Sequence, residues 1–273
     1  MGVVTSQAIA PHLLPHLRGR PVSLVRGPTG IDGELFFQKH AETIKIPGIN
    51  VLDASLWAGH PPLLEIASET AIVAAAQLNV IEFHTCNAAK RTIDKPDRII
   101  FDLDPGDGVA WQRMQEAAVL TKTLLDELGL ESFLKTSGGK GLHLVVPIVP
   151  RLSWETVMRF SRDAVVHIAR TIPQRFVAKS GPRNRVGKIF IDYLRNGHGA
   201  TTVTAFSARA RPGLGVSMPV AWDELEALVA GDQWTIKTAA RRVEAVGYTD
   251  PWLRYPAVRA QQHVGPAARR LAY

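Results

Sequence analysis

Two hydrophobic rhythms alternate along the chain, and each change of rhythm marks an element. Apolar residues recur at helical spacing in residues 7–17 (Ile9, Leu13, Leu14, Leu17), in Ser68 to Leu78, in Ala110 to Leu128 and from about Trp154 to Arg170. Gly19-Arg20-Pro21 stops the first helix, Gly129 stands at the C-cap of the third, and Ser153 is placed to N-cap the fourth. Between them lie strand-like runs: Val22 to Val25, Glu34 to His40, Val80 to His84, Ile99 to Asp104, Lys188 to Arg195 and the β-branched Thr201 to Ser207. Residues 133–148 have the pattern of a strand, a glycine-rich turn and a second strand. Pro47 to Pro62 is irregular in pattern, and Trp222 to Ala230 is a short helix opened near Asp223. From Arg241 to Tyr273 the chain carries six arginines against two acids.

The strand at Arg98-Ile99-Ile100-Phe101-Asp102-Leu103-Asp104-Pro105-Gly106 carries the most chemistry. Alternation buries Phe101 and Leu103 on one face and sets Asp102 and Asp104 together on the other. Two bare carboxylates so placed repel and raise each other's pKa, so they ask for a hard cation such as Mg²⁺ or Mn²⁺. An edge strand running into an Asp-rich turn, with Asp104 and Asp107 as caps, fits this stretch equally well.

Other stretches carry a bland explanation beside a sharper one. In Ser137-Gly138-Gly139-Lys140-Gly141-Leu142-His143 the glycines let backbone N–H groups approach an anion, with Ser137, Lys140 and His143 as donors. The GxxxxGK[ST] spacing is absent, so any phosphate here is held by a hairpin, and a plain glycine hairpin also satisfies the pattern. Asp192 lies between apolar neighbours and needs a partner or a metal. Phe36 and Phe37 point to opposite strand faces. Burial of both is the simpler expectation, and a base-stacking platform beside Lys39 and His40 is the sharper one. Glu82 and His84 share a strand face, where a lone histidine is more often structural. Lys179, Arg183, Arg185 and Lys188 put four cations in ten residues, the usual pattern of a solvated loop.

Composition narrows the class. The 273 residues are 46% hydrophobic, enough for a substantial core, and 32 Lys and Arg against 25 acids leave a formal charge of +7, which favours a polyanionic partner. The single cysteine, Cys86, forms no internal disulfide and fits a reducing compartment as a small buried side chain. The apolar run Thr70 to Ile81 is too short and too interrupted to span a membrane, and no signal peptide opens the chain; a soluble, cytoplasmic protein is expected.

In this order and over this length, Phe101-Asp102-Leu103-Asp104-Pro105, Ser137 to His143, Phe190-Ile191-Asp192-Tyr193-Leu194-Arg195-Asn196 and Ser207-Ala208-Arg209-Ala210-Arg211-Pro212 resemble the polymerase domain of bacterial DNA ligase D. That family belongs to the archaeo-eukaryotic primase superfamily and acts in non-homologous end joining. The similarity runs from about Leu14 to about Leu228 and includes Glu34 to His40. It implies an α+β, primase-like fold with a mostly antiparallel central sheet, flanking helices and a second strand-rich layer. The domain is expected over residues 1–240, with residues 241–273 a basic tail packed on it or linking from it.

The resemblance further implies that Asp102, Asp104 and Asp192 are catalytic metal ligands for two divalent ions, Mn²⁺ or Mg²⁺. Ser137, Lys140, His143 and Arg209 bind the triphosphate, and His84 faces the sugar or primer terminus. Phe36 and Phe37 stack on base and template, and Lys39 and Arg185 track DNA phosphates. The expected reaction is attack of a primer 3′-hydroxyl on the α-phosphate of a nucleoside triphosphate, ribonucleotides preferred, at DNA ends with gaps or overhangs. Expected partners are Ku and the ligase and phosphoesterase domains of a parent protein, near the bacterial nucleoid. The chain departs from the family at its start. The His-Pro-containing first strand is missing and Thr5-Ser6 stands where Thr-Lys is usual, so no 5′-phosphate site is carried over. Two rivals are a non-catalytic DNA-end-binding module and a haloacid-dehalogenase-type phosphatase with Asp102 as nucleophile. The second lacks the Thr or Val expected where Gly106 stands.

Overall fold

In the computed structural model, which describes residues 3–41 and 46–271, the strand-like runs assemble into two sheets, each covered by its own helices. The chain opens with α1 (Val3–Leu17), β1 (Val22–Arg26), β2 (Phe36–Gln38), β3 (Ile49–Val51) and β4 (Leu64–Ile66). Next come α2 (Glu69–Gln77), β5 (Val80–Thr85), β6 (Arg98–Pro105), α3 (Trp111–Glu127) and the hairpin β7 (Phe133–Thr136) with β8 (Leu142–Pro147). The chain continues with α4 (Trp154–Thr171), β9 (Phe176–Val177), β10 (Ile189–Asp192), β11 (Thr202–Val203) and β12 (Pro219–Val220). Three helices follow, α5 (Ala239–Glu244), α6 (Tyr255–Gln261) and α7 (Val264–Leu271).

The first sheet has the order β11-β5-β1-β4-β3, with β2 also paired to β1; the second has the order β12-β7-β8-β6-β10-β9. Pairing is antiparallel throughout except between β9 and β10, as the α+β expectation requires. Helices α1 and α2 bury Ile9, Leu13, Leu17, Ile72 and Ala75 with Leu24 and Phe83 of the first sheet. Helices α3 and α4 bury Met114, Leu125, Val157, Phe160 and Ile168 against Ile99, Phe101, Leu103, Leu142 and Leu144 of the second. Each large side chain so buried contributes roughly 1.5–3 kcal/mol, enough to hold helices that would fray alone. Ser68 and Ser153 cap α2 and α4, accepting from the Ala71 and Thr156 amides.

The basic C-terminal stretch is helical. Trp252, Val264 and Ala267 are buried, and the Trp252 Nε1–H donates to the Leu134 carbonyl at 2.9 Å. Several expectations of detail are corrected. The irregular stretch before Pro62 contains β3 and a 3₁₀ turn at Ala54–Trp57, because three residues suffice for an edge strand zipped to β4. The run Thr201 to Ser207 is a strand only over β11, since Phe206 at φ 65° ends it. Trp222–Ala227 is a 3₁₀ helix, shorter than the sequence pattern. Burial of Phe36 and Phe37 does not occur: β2 hangs on the side of β1, and the two rings are 48% and 56% exposed.

Candidate active site

The period of two in the second sheet decides which side chains meet. On β6, Ile99, Phe101 and Leu103 enter the core under α3 and α4, while Ile100 faces the core of the other sheet and Asp102 and Asp104 continue that same face. β10 repeats the rule, with Ile189 and Ile191 inward and Asp192 on the face of Asp102. Register then aligns a row across four strands: Lys135 opposite His143, His143 opposite Asp102, Asp102 opposite Asp192. Asn196 locks β6 in place by accepting from the Ile100 amide and donating to the Ile100 carbonyl, both at 2.8 Å.

Asp102, Asp104 and Asp192 bring one carboxylate oxygen each within 4.8 Å of one another. Burial works against ionisation of all three. At Asp102 the His143 ring nitrogen 3.2 Å away, with Arg195 and Lys135, outweighs it and holds the carboxyl at about 2. At Asp104 burial and the neighbouring Asp102 charge prevail over Arg185 and push the pKa up to about 6. Burial also raises Asp192, against the pull of Arg195 at 3.1 Å. Burial lowers His143 to about 4, so near neutral pH its ring is uncharged; its Nδ1 is buried with no partner among the described residues. The set is all oxygen, hard, and repulsive in the absence of a cation, which fits Mg²⁺ or Mn²⁺.

Glycines allow the approach of the loops that flank this row. A Cβ at Gly106 would fall 1.6 Å from the Arg185 carbonyl oxygen, so only glycine lets the 182–188 loop close on the end of β6 and set Arg185 Nη1 3.1 Å from Asp104. Gly138, at φ +69°, shapes the β7–β8 turn against Arg209 and Ser217. There the Ser137 hydroxyl accepts from the Gly139 and Gly141 amides at 3.1 and 3.0 Å, and the Ser137 carbonyl accepts from Arg209 Nη1 at 3.2 Å. Glu82 orients the opposite wall. Its carboxylate accepts from Arg209 Nε at 3.0 Å, the Ala210 amide at 2.7 Å and His84 Nε2 at 2.7 Å. Burial pushes Glu82 up, but these partners hold it below the usual range; His84 is lowered, mainly by burial.

These groups enclose a cavity of about 310 Å³ lined by Asp102, Asp104, Ser137, Lys140, His143, His84, Arg185 and Arg209, so the structure gathers eight of the predicted residues around one space. Lys140 is exposed at its edge. Phe37 reaches the rim, its ring 5.9 Å from that of His84 and nearly perpendicular to it. Lys39 lies apart from the cavity, its ammonium donating to the Gly199 carbonyl at 2.9 Å and resting 3.9 Å over the Trp57 ring.

Three residues of the site were not assigned from the sequence. Arg195 Nε stands 3.1 Å from Asp192 and 3.8 Å from Asp102, and its signal was the i+3 spacing from Asp192. Glu82 was visible only as a neighbour of His84. Lys135 is 2% exposed, donating to the Val203 carbonyl and the Ser217 hydroxyl, and burial drives it well below the ordinary lysine range. A lone lysine in an apolar strand carried the same signal as Asp192.

With this geometry in place, comparison with known proteins identifies the group. A sequence model of the LigD primase-polymerase domain matches residues 6–252. The chain belongs to the LigD primase-polymerase family. It is thereby a nucleotidyltransferase domain, and the phosphatase alternative falls. The chain is 55% identical to the multifunctional non-homologous end joining protein LigD of Pseudomonas aeruginosa over 258 residues, covering 94% of this chain and 30% of that protein. It is 31% identical to the protein of the same description from Mycolicibacterium smegmatis, over 80% of this chain and 29% of the relative. The polymerase domain of Mycobacterium tuberculosis ligase D, solved in complex with DNA, superposes with a TM-score of 0.82 at 26% identity, covering 96% of this chain and 92% of that one. The chain thus spans about a third of the length of the LigD relatives it matches.

Proposed function

We propose that this LigD primase-polymerase domain extends DNA ends by nucleotidyl transfer in bacterial non-homologous end joining. A primer 3′-hydroxyl attacks the α-phosphate of a bound nucleoside triphosphate, a new O–P bond forms, the bond to the β-phosphate breaks, and pyrophosphate leaves with the hydroxyl proton passed to solvent. One observation carries this: three carboxylates from β6 and β10 converge beside a cavity walled by Lys140, Arg185 and Arg209.

Each chain residue then has a task. Asp102, Asp104 and Asp192 would hold two divalent ions, which when bound would supply Lewis-acid activation of the hydroxyl and neutralise charge on the leaving group. Ser137, Lys140, His143 and Arg209 bind the triphosphate, with Arg209 aimed by Glu82, so positioning and preorganised charge account for most of the rate. His84 faces the sugar or primer terminus, and the exposed Phe36 and Phe37 stack on the incoming base and template. Arg185 and Lys39 serve DNA phosphates, Arg185 after release from Asp104. Residues 1–240 are the polymerase domain, with residues 241–273 a basic tail packed on it or linking from it. The domain prefers ribonucleotides and Mn²⁺, fills gaps or overhangs, and works beside Ku and the ligase and phosphoesterase domains of a parent protein. Among the described residues no helix is long and apolar enough to cross a membrane.

The test is primer extension on a short-gap duplex with ribo- and deoxynucleotides and Mn²⁺ or Mg²⁺, with Asp102→Ala as control. Metal-dependent addition that vanishes in the variant is the expected result. No addition from folded protein under any condition, with DNA binding retained, would leave an end-binding module instead.

A further inference from the structure

A second concave site lies at the opposite end of β6 from the aspartates. Arg98 opens that strand and Asp104 stands six residues on, roughly 20 Å away at strand rise. Beside Arg98 is a cavity of about 670 Å³, twice the volume of the one at the aspartates and within the range of small-ligand sites. Its wall brings together Arg18, Arg20, Lys90, Arg91, Arg98 and Arg259, drawn from the end of α1, the 3₁₀ turn at Lys90–Thr92, β6 and α6.

Two carboxylates answer three of these six cations, and a third, Asp250, pairs with none of them among the described residues. Asp97 takes two bonds from Arg20, at 2.7 and 2.6 Å, and one from Arg259 at 3.4 Å. Glu65 takes Lys90 at 2.8 Å, and Asp250 accepts the Trp252 amide. Arg98 is the telling residue. It is 6% exposed, yet its guanidinium meets only neutral acceptors: Asn87 Oδ1, the Thr85 hydroxyl and carbonyl, and the Cys86 carbonyl. No carboxylate lies within ion-pair distance of it, of Arg18 or of Arg91 among the described residues. A buried cation left without a counter-charge is costly, and a fold that tolerates one gains by supplying an anion. A second unfilled valence is close by, since the hydroxyl of Tyr255, another lining residue, is buried with no partner among the described residues. His16 senses the crowding: burial first, then Arg98 and Arg20, push its pKa down to about 3.

We propose that this cavity is a second anion site, separate from the aspartate centre, that binds a compact phosphate-bearing ligand of polyphosphate or nucleotide size. Concavity argues for a compact ligand, because cations converging on one hollow suit clustered phosphates, whereas a nucleic-acid strand asks for an extended track. Arg18 and Arg91 are exposed arms at its rim, and Arg98 and the Tyr255 hydroxyl form the buried end.

The test is calorimetric titration of the whole chain with sodium tripolyphosphate in EDTA near neutral pH. It compares the wild type, Lys140→Ala at the aspartate site, the double variant Arg18→Glu with Arg91→Glu, and Arg91→Glu alone should the double variant melt early. Saturable binding that survives Lys140→Ala and weakens at least about tenfold on charge reversal is expected. Absence of saturable binding, or binding lost with Lys140→Ala and kept on reversal, overturns the site. A single-stranded oligodeoxynucleotide titrated in parallel separates the sources. If the strand alone binds in a reversal-sensitive manner, the compact ligand is wrong.

Discussion

Withdrawing one carboxylate from the aspartate centre should erase a stabilisation by divalent cation, and the size of that stabilisation should depend on pH. Without a cation, Asp104 titrates at about 6 in the folded chain against an ordinary 3.8, while Asp102 sits at about 2. The raised Asp104 favours the folded state when protonated, so its contribution is present below about pH 4 and lost as pH rises through about 6. Above that point the apo centre carries unrelieved repulsion. A cation bound only by the folded form adds RT ln(1 + [M]/Kd), about 2.7 kcal/mol at a hundredfold excess over Kd. For a domain of this size that is roughly 5–11 °C in Tm. About one pH unit below the Asp104 value, the proton competes with the cation and apparent affinity drops about tenfold, removing roughly 1.4 kcal/mol of the gain. Asp104 is partly exposed, so solvent screening makes this a ceiling. The assay is thermal melting with and without Mn²⁺ at about pH 5 and about pH 8, on wild type, Asp104→Asn and Asp192→Asn. The shift should be large at the higher pH in wild type, smaller at the lower, and nearly absent in both variants. An undiminished shift in the variants, or one that grows as pH falls, would refute a carboxylate cation site here.

Glu82→Gln weakens three bonds to one buried carboxylate; it should cost about 3 kcal/mol in stability and raise KM for the nucleotide far more than it lowers kcat, measured by melting and steady-state kinetics. Phe37→Ala should leave stability within about 0.5 kcal/mol yet weaken template–primer binding by roughly 1–3 kcal/mol, seen by fluorescence anisotropy. Lys39→Ala removes the contact over Trp57 and should cost about 1 kcal/mol; it should also lower the slope of log K against log salt by about 1 if Lys39 reaches a DNA phosphate. An unchanged slope would confine Lys39 to a packing role.

Local chemistry was legible in the sequence wherever one element sufficed to express it. The period of two on β6 was enough to place Asp102 and Asp104 together, because side-chain direction along a strand is set by the backbone alone. Capping by Ser153, the glycine hairpin and the stop at Gly129 are equally local. Strand length was harder to see. The runs around Phe36 and Thr202 shrink to three and two paired residues because a strand extends only as far as a neighbour pairs with it. For the same reason the exposure of Phe36 and Phe37 could not be settled from their own hydrophobicity.

Tertiary structure alone decided what lies across the strands. Asp192 meets Asp102 only through the register of β10 on β6, and Lys135 enters the row only through β7 on β8. Glu82 becomes the holder of Arg209, a residue 127 positions away, only because the segment after β11 runs alongside β5. The unanswered charge of Arg98 was likewise invisible, since counting cations and acids along the chain says nothing of which acids stand within reach. Spacing along an element is a property of the backbone and can be read from the residues in order. Register, burial and the balance of charge in a cavity depend on which distant segments pack together, and only the folded chain states that.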